Sequence, residues 1–201
     1  MLHEHTPWVL KQLSVCDIQD KPKLDLPESI DLMAVKQKWA LDYRPSSVSG
    51  IQLREQGFTL AVIGGVDDKE QVRQALLAWV RKKGRQHLKP WLSDVAEEMG
   101  LAYGSVSVRL QKSRWGSCSA KGNISLNASL LFLPDVLVRH VLVHELTHLK
   151  HLNHSPAFWQ DVSKFDTNCK EHRKLLRQYG LRMPAWLQQS FADSLHKLSY
   201  R

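Results

Sequence analysis

The chain has 201 residues, 43% of them apolar, which is enough to bury one good core. Its 28 basic and 20 acidic residues leave a net charge of +8, a balance that attracts nucleic acid, acidic protein or other anions. No run approaches the ~20 apolar residues needed to span a bilayer, and three cysteines (Cys16, Cys118, Cys169) without C-x-x-C spacing exclude a disulfide scaffold and a separate zinc knuckle.

The first residues show no basic region followed by an apolar stretch, so a soluble, cytoplasmic protein is expected. Residues 38–43, 48–54 and 58–63 alternate as three short strands, separated by Arg-Pro-Ser-Ser and by Glu-Gln-Gly. Asp67 and Asp68 then open an amphipathic helix through Leu76, Leu77, Trp79 and Val80, and a second helix is expected from Pro90 to Met99, stopped by Gly100. Residues 105–110 and 123–127 again alternate as strands.

Pro134 and Asp135 start a further helix whose apolar face is Val136, Leu137, Val141, Leu142, Leu146 and Leu149. Within it His144, Glu145 and His148 spell H-E-x-x-H. Residues four apart share a helix face, so the two imidazoles can close on one metal ion while Glu145 reaches a metal-bound water. His140 and His144 have the same spacing, but Val141 follows His140 and cannot act as a base. His151 lies roughly 7 Å along the axis from a metal held between His144 and His148, too far for a Zn–N bond of about 2.1 Å.

The third ligand is expected from the turn beyond. Asn153 can take the left-handed conformation that ends a helix, and Ser155-Pro156 reads as the cap and first residue of the next one. Such a turn brings His154 back toward the ion. In the competing arrangements His154 only caps the turn, or Asp161, Asp166 or Glu171 is the third ligand instead.

The runs Arg-Trp-Gly-Ser-Cys-Ser (114–119), Asn-Ile-Ser-Leu-Asn (123–127) and His-Glu-Leu-Thr-His-Leu-Lys-His-Leu-Asn-His-Ser-Pro-Ala-Phe-Trp (144–159) resemble the YgjP-like metallopeptidase domain. More distantly they are similar to the SprT and Spartan proteases. The resemblance implies an α+β, zincin-like metallopeptidase fold: a small antiparallel sheet packed on the active-site helix, with further helices. It implies one Zn2+ on His144, His148 and His154, with Glu145 as the catalytic acid, and a peptide or protein substrate. On this reading residues 1–35 are an N-terminal extension without an assigned role. Residues 36–201 are a single domain, strand-rich over 36–65, helical over 66–100, with a catalytic core over 101–180 and a C-terminal helix over 184–198 that carries Trp186.

The mechanism expected is attack by zinc-bound water on a peptide carbonyl, with Glu145 taking and returning the proton. The segment 122–127 is expected to be the exposed edge along which an extended substrate pairs. Trp115, Gly116 and Ser117 form a loop near the metal, with Gly116 allowing close backbone approach, and Asn123 and Ser125 are candidate substrate contacts. Phe158 and Trp159 are expected as core beneath the metal helix.

Two other readings compete. In one, similar to peptide deformylase, Cys118 replaces His154 as ligand. In the other, zinc only staples a basic module that binds nucleic acid non-specifically through 81–85 (Arg-Lys-Lys-Gly-Arg) and 170–177; no nucleic-acid-reading motif accompanies that charge.

Overall fold

The computed structural model of the protein describes residues 25–111, 114–181 and 183–188. It begins with β1 (Ser29–Leu32), whose Ile30 and Leu32 point inward, followed by a 3-10 turn (Met33–Val35). Lys36 then adopts a left-handed φ of 53° that reverses the chain into β2 (Gln37–Pro45). The boundary between the expected extension and domain, at 35/36, falls at the end of that turn.

The strands β3 (Ile51–Gln56) and β4 (Thr59–Gly64) form a hairpin closed at Gly57-Phe58, where Gly57 takes the positive φ the turn demands. The sheet order is β1-β2-β4-β3, with β2 and β4 parallel and the other pairs antiparallel. Because β4 is central, Leu60, Ala61 and Val62 are buried in succession, as an interior strand requires. The three expected strands are present, but the sheet is mixed.

One helix, α1 (Lys69–Glu98), follows, capped by the Asp68 side chain accepting from the Gln71 N–H at 3.0 Å. The expected break before Pro90 is absent. Leu76, Val80, Leu88, Leu92 and Val95 bury one continuous face across that position, and Pro90 itself is exposed, so water can satisfy the carbonyl the ring leaves without a donor. Gly84 sits where α1 meets the second layer: a β-carbon there would stand 2.9 Å from Val108 and 3.0 Å from Ala128.

The second layer is a three-stranded sheet of β5 (Val106–Arg109), β6 (Gly116–Cys118) and β7 (Ile124–Asn127), ordered β5-β7-β6. β5 runs parallel to β7 and β6 antiparallel to it. This corrects the expectation for 122–127: β7 is the middle strand, paired on both sides, and has no free edge for a substrate. The edge beside the metal helix is β6.

A buried 3-10 turn (Ala128–Phe132) leads to α2 (Asp135–Thr147), which carries H-E-x-x-H. Its Leu137, Val138, Val141, Leu142, Val143 and Leu146 are buried, but Val136, expected on that face, is 51% exposed. α3 (Pro156–Phe165) starts as expected, with Ser155 Oγ accepting from the Phe158 N–H and Pro156 in the first turn. α4 (Cys169–Leu181) and the short α5 (Ala185–Gln188) close the fold, Trp186 packing edge-on to Phe132 at 6.1 Å. Beyond residue 188 the expected C-terminal helix lies outside the described residues. No helix among the described residues is long and apolar enough to cross a membrane.

Candidate metal centre

Helix α2 ends at Thr147, with His148 still in right-handed helical conformation as its cap. The N–H groups of Lys150 and His151 both bond the Thr147 carbonyl, which winds the chain off the axis. The turn needs no left-handed residue: among the described residues Lys36 is the one non-glycine with positive φ, so Asn153 does not play the expected part. The turn nevertheless returns His154 to the helix, with its Nε2 3.1 Å from His144 Nε2. Two nitrogens on one tetrahedral zinc at 2.0–2.1 Å stand about 3.3 Å apart, so this spacing suits a shared ion.

His148 completes the group, its ring centred 4.9 Å from that of His144 and 4.8 Å from that of His154. The three ligand atoms all lie within 4.8 Å of one another. The orientation of His148 is set by the backbone: its Nδ1–H donates to the His151 carbonyl at 2.9 Å, which leaves the Nε2 lone pair for a metal. Phe158, fully buried, presents its ring to all three imidazoles at 4.7 to 5.0 Å. This confirms the core role expected for it. Trp159 differs from expectation: it is half-buried and stacks on His154, centroids 5.7 Å apart and planes 20° from parallel.

The three alternative acids are engaged elsewhere. Asp161 accepts from His151 Nε2 at 2.8 Å and from Lys164 at 2.5 Å, and Glu171 lines an outer groove. Asp166 accepts from His140 Nδ1 at 2.5 Å, from His172 Nδ1 at 3.0 Å and from the Asn168 N–H at 3.2 Å. The His140–Asp166–His172 cluster has metal-ligating side chains, but its closest spacing is that of a hydrogen bond and not of two ligands around one ion. It acts as a staple between α2 and the start of α4. Cys118 is also absent from the three-nitrogen group; its thiol contacts the Ser119 carbonyl at 3.5 Å.

Glu145 is buried beside this centre, and among the described residues no donor reaches its Oε2. Burial pushes its carboxyl up to about 8, although the charge of Arg114 opposes that rise. His144 is pushed the other way, down to about 2, first by burial and then by His148, His154, His140 and Arg173, so its imidazole is neutral and ready to ligate. The orphaned carboxylate oxygen and the three converging nitrogens fit a divalent cation, which would sit between the nitrogens and beside that oxygen.

Gly116 on β6 covers Glu145 closely: a β-carbon there would fall 2.7 Å from both Cγ and Oε1 of the glutamate. Asn127 holds this loop, its side-chain N–H groups donating to the Gln111 and Arg114 carbonyls at 2.9 Å, and the Asn127 N–H donates to the Trp115 carbonyl at 2.8 Å. Trp115 is the buried anchor below. Asn123 and Ser125 have internal partners: Asn123 Oδ1 accepts from the Ser105 N–H and hydroxyl, and Ser125 Oγ accepts from Gln111 Nε2. Arg173, one charge of a basic run in the sequence, places its guanidinium 4.0 Å over the Trp159 ring.

The solved structures similar to this chain include two metallopeptidase zymogens. Abylysin from Pyrococcus abyssi is 29% identical, overlapping 45% of this chain and 92% of its own at a TM-score of 0.41. Jannalysin from Methanocaldococcus jannaschii is 18% identical, overlapping 45% and 94% at the same TM-score. No curated protein matches the chain. The family comparison is broad: one family model spans residues 1–179, taking in the first 35 residues together with the histidine centre, and the chain belongs to that family, the YgjP-like metallopeptidase domain.

Proposed function

We propose that the protein hydrolyses peptide bonds at a single zinc ion held by His144, His148 and His154, with Glu145 as general base and then general acid. The observation that carries this reading is the 3.1 Å approach of the His144 and His154 nitrogens beside a buried carboxylate with an unpartnered oxygen. Three imidazole ligands leave a fourth position open, which is the donor set of a catalytic rather than a structural zinc site.

When bound there, zinc supplies Lewis-acid polarisation of the scissile carbonyl and lowers the pKa of water. Glu145 takes a proton from the attacking water and hands it to the leaving amine. Gly116 keeps the carboxylate in place by leaving no room for it to swing away. Phe158 excludes water from behind the imidazoles, and the His151 carbonyl holds His148 in its ligating tautomer.

An extended substrate would pair with β6, where Gly116 and Ser117 offer backbone groups on the exposed edge and Trp115 anchors the strand from below. Substrate-length kinetics test this: residues flanking the cleaved bond should raise kcat/KM. The deciding experiment for the whole reading is a metal assay on purified protein, then digestion of a peptide library with Glu145→Gln as control. One zinc per chain and Glu145-dependent cleavage are expected, and full turnover by the variant would end the base assignment.

The free thiols of Cys118 and Cys169 support a reducing, cytoplasmic compartment. A non-specific nucleic-acid contact would fall to the exposed Arg81, Lys82 and Arg85, since Lys83 of the same run is buried against Glu55. Steep loss of DNA binding with salt is its test.

A further inference from the structure

Arginines that leave solvent normally do so with a carboxylate beside them, because an unpaired guanidinium forfeits hydration without return. In this fold Arg73 is buried with Glu70, and half-buried Arg139 is paired with Glu98. Arg173 is the exception among the described residues: it is half-buried, its guanidinium carbon lies 4.0 Å from the centre of an indole, and no carboxylate stands within ion-pair distance. A cation–π contact satisfies the face of the guanidinium and leaves its in-plane N–H donors available.

Those donors border a groove of about 800 Å³ between α3 and the start of α4, lined by Pro156, Trp159, Lys170, Glu171 and Arg173 among others. Trp159 joins the groove to the metal centre, since the indole under Arg173 also stacks on His154. A groove lined mostly by polar residues, with the Trp159 ring in its wall and a fork of guanidinium donors, matches a planar carboxylate, which accepts two parallel N–H bonds from one guanidinium. Glu171, on the groove wall, adds repulsion against unselective binding of anions, so the anion must reach Arg173 itself.

We propose that this groove is a substrate subsite for a peptide carboxylate, received by Arg173 with Lys170 adding long-range attraction. The inference rests on the peptidase reading above and names the class of substrate. An extended peptide advances about 3.4 Å per residue, and Arg173 stands one aromatic ring away from a metal-binding histidine. The carboxylate therefore belongs to a residue about two positions from the cleaved bond. It comes either from an acidic side chain or from the C-terminus of a short peptide.

The test uses an alanine-based fluorogenic peptide set, cleaved by the zinc-loaded full chain. The set carries Glu or Gln at each of three positions on either side of the scissile bond, each peptide as free acid and as amide. At one position Glu should exceed Gln in kcat/KM by about tenfold or more, the yield of one charge-assisted pair. If the free acid is favoured instead, the anion is the terminal carboxylate.

In Arg173→Gln the ratio should collapse to about one. In Arg173→Lys part of it should remain, and in Arg173→Glu a Lys-containing peptide should take over. Thermal midpoint and zinc content of each variant separate these outcomes from unfolding. An unchanged ratio in Arg173→Gln, or no preference in the wild type, overturns the proposal.

Anisotropy of the same peptides, dye-labelled, on zinc-loaded Glu145→Gln protein supplies a readout that does not need turnover. Equal affinity for the Glu and Gln peptides overturns the subsite. Unequal affinity without any cleavage by the wild type upholds the subsite and overturns the peptidase reading alone.

Discussion

Gly116 on the edge strand touches the carboxyl group of Glu145 so closely that no side chain fits between them: a β-carbon would stand 2.7 Å from Oε1. The glutamate is buried and its surroundings are fixed by Trp115 and Asn127, so it cannot step aside freely. Gly116→Ala should therefore keep the zinc and lose at least about 100-fold in kcat, the usual result of an ångström-scale misplacement. Stability should fall by about 1–3 kcal/mol from overpacking. Metal content, kcat and thermal melting measured on one preparation check this together.

Removing the proton carrier and removing the ligands should have separable effects. Glu145→Gln is expected to retain one zinc per chain and lose about 10²–10⁴ in kcat/KM. His144→Ala, His148→Ala and His154→Ala should each lose tight binding of the ion, whereas Cys118→Ala should retain it. Zinc retained by His154→Ala and lost by Cys118→Ala would transfer the third ligand to the thiol.

In the metal-free protein Glu145 should contribute stability that is lost as pH rises from about 4.5 to about 8. His144, neutral when folded but protonated when unfolded below 6.5, opposes that fall, so the net weakening should run from about 6.5 to about 8. Burial lifts the folded-state carboxyl of Glu145 to about 8 against 4.5 when unfolded, so between these values the native state holds a proton that the unfolded state has released. At this group the unfolded state binds fewer protons, and its contribution falls with pH across that window, by of the order of 4 kcal/mol in total. Chelated Glu145→Gln should lose the fall between about 6.5 and about 8. Urea titrations from pH 5 to pH 9 measure both.

Asp166 gathers a histidine from α2, a histidine from α4 and a backbone N–H from the turn just before α4. Asp166→Ala should cost about 3 kcal/mol, because it strips a buried acceptor from three donors at once. The zinc count of the wild type should be one per chain, and a second ion lost in this variant would show that the cluster binds metal instead.

Much of this architecture is written in local pattern, and the exceptions share one cause. The turn into α3 is fully local, Ser155 and Pro156 being the cap and first residue of a helix wherever they occur in that order. The same holds for H-E-x-x-H, since four-residue spacing alone puts His144 and His148 side by side. Pro90 misleads because the apolar face on either side of it outweighs a local penalty. β7 reads as an edge because pairing partners, unlike alternation, are chosen by segments distant in sequence. Arg173 looks like one more charge in a basic run, because the residue that sets it apart, Trp159, lies on another helix.

The hydrogen bond from His148 to the His151 carbonyl has a practical consequence for the emptied protein. Since the main chain itself aims that ring, stripping the ion leaves a receptacle already cut to shape. Reloading should then proceed at the pace at which an aqueous cation sheds its water, with no refolding step to wait for.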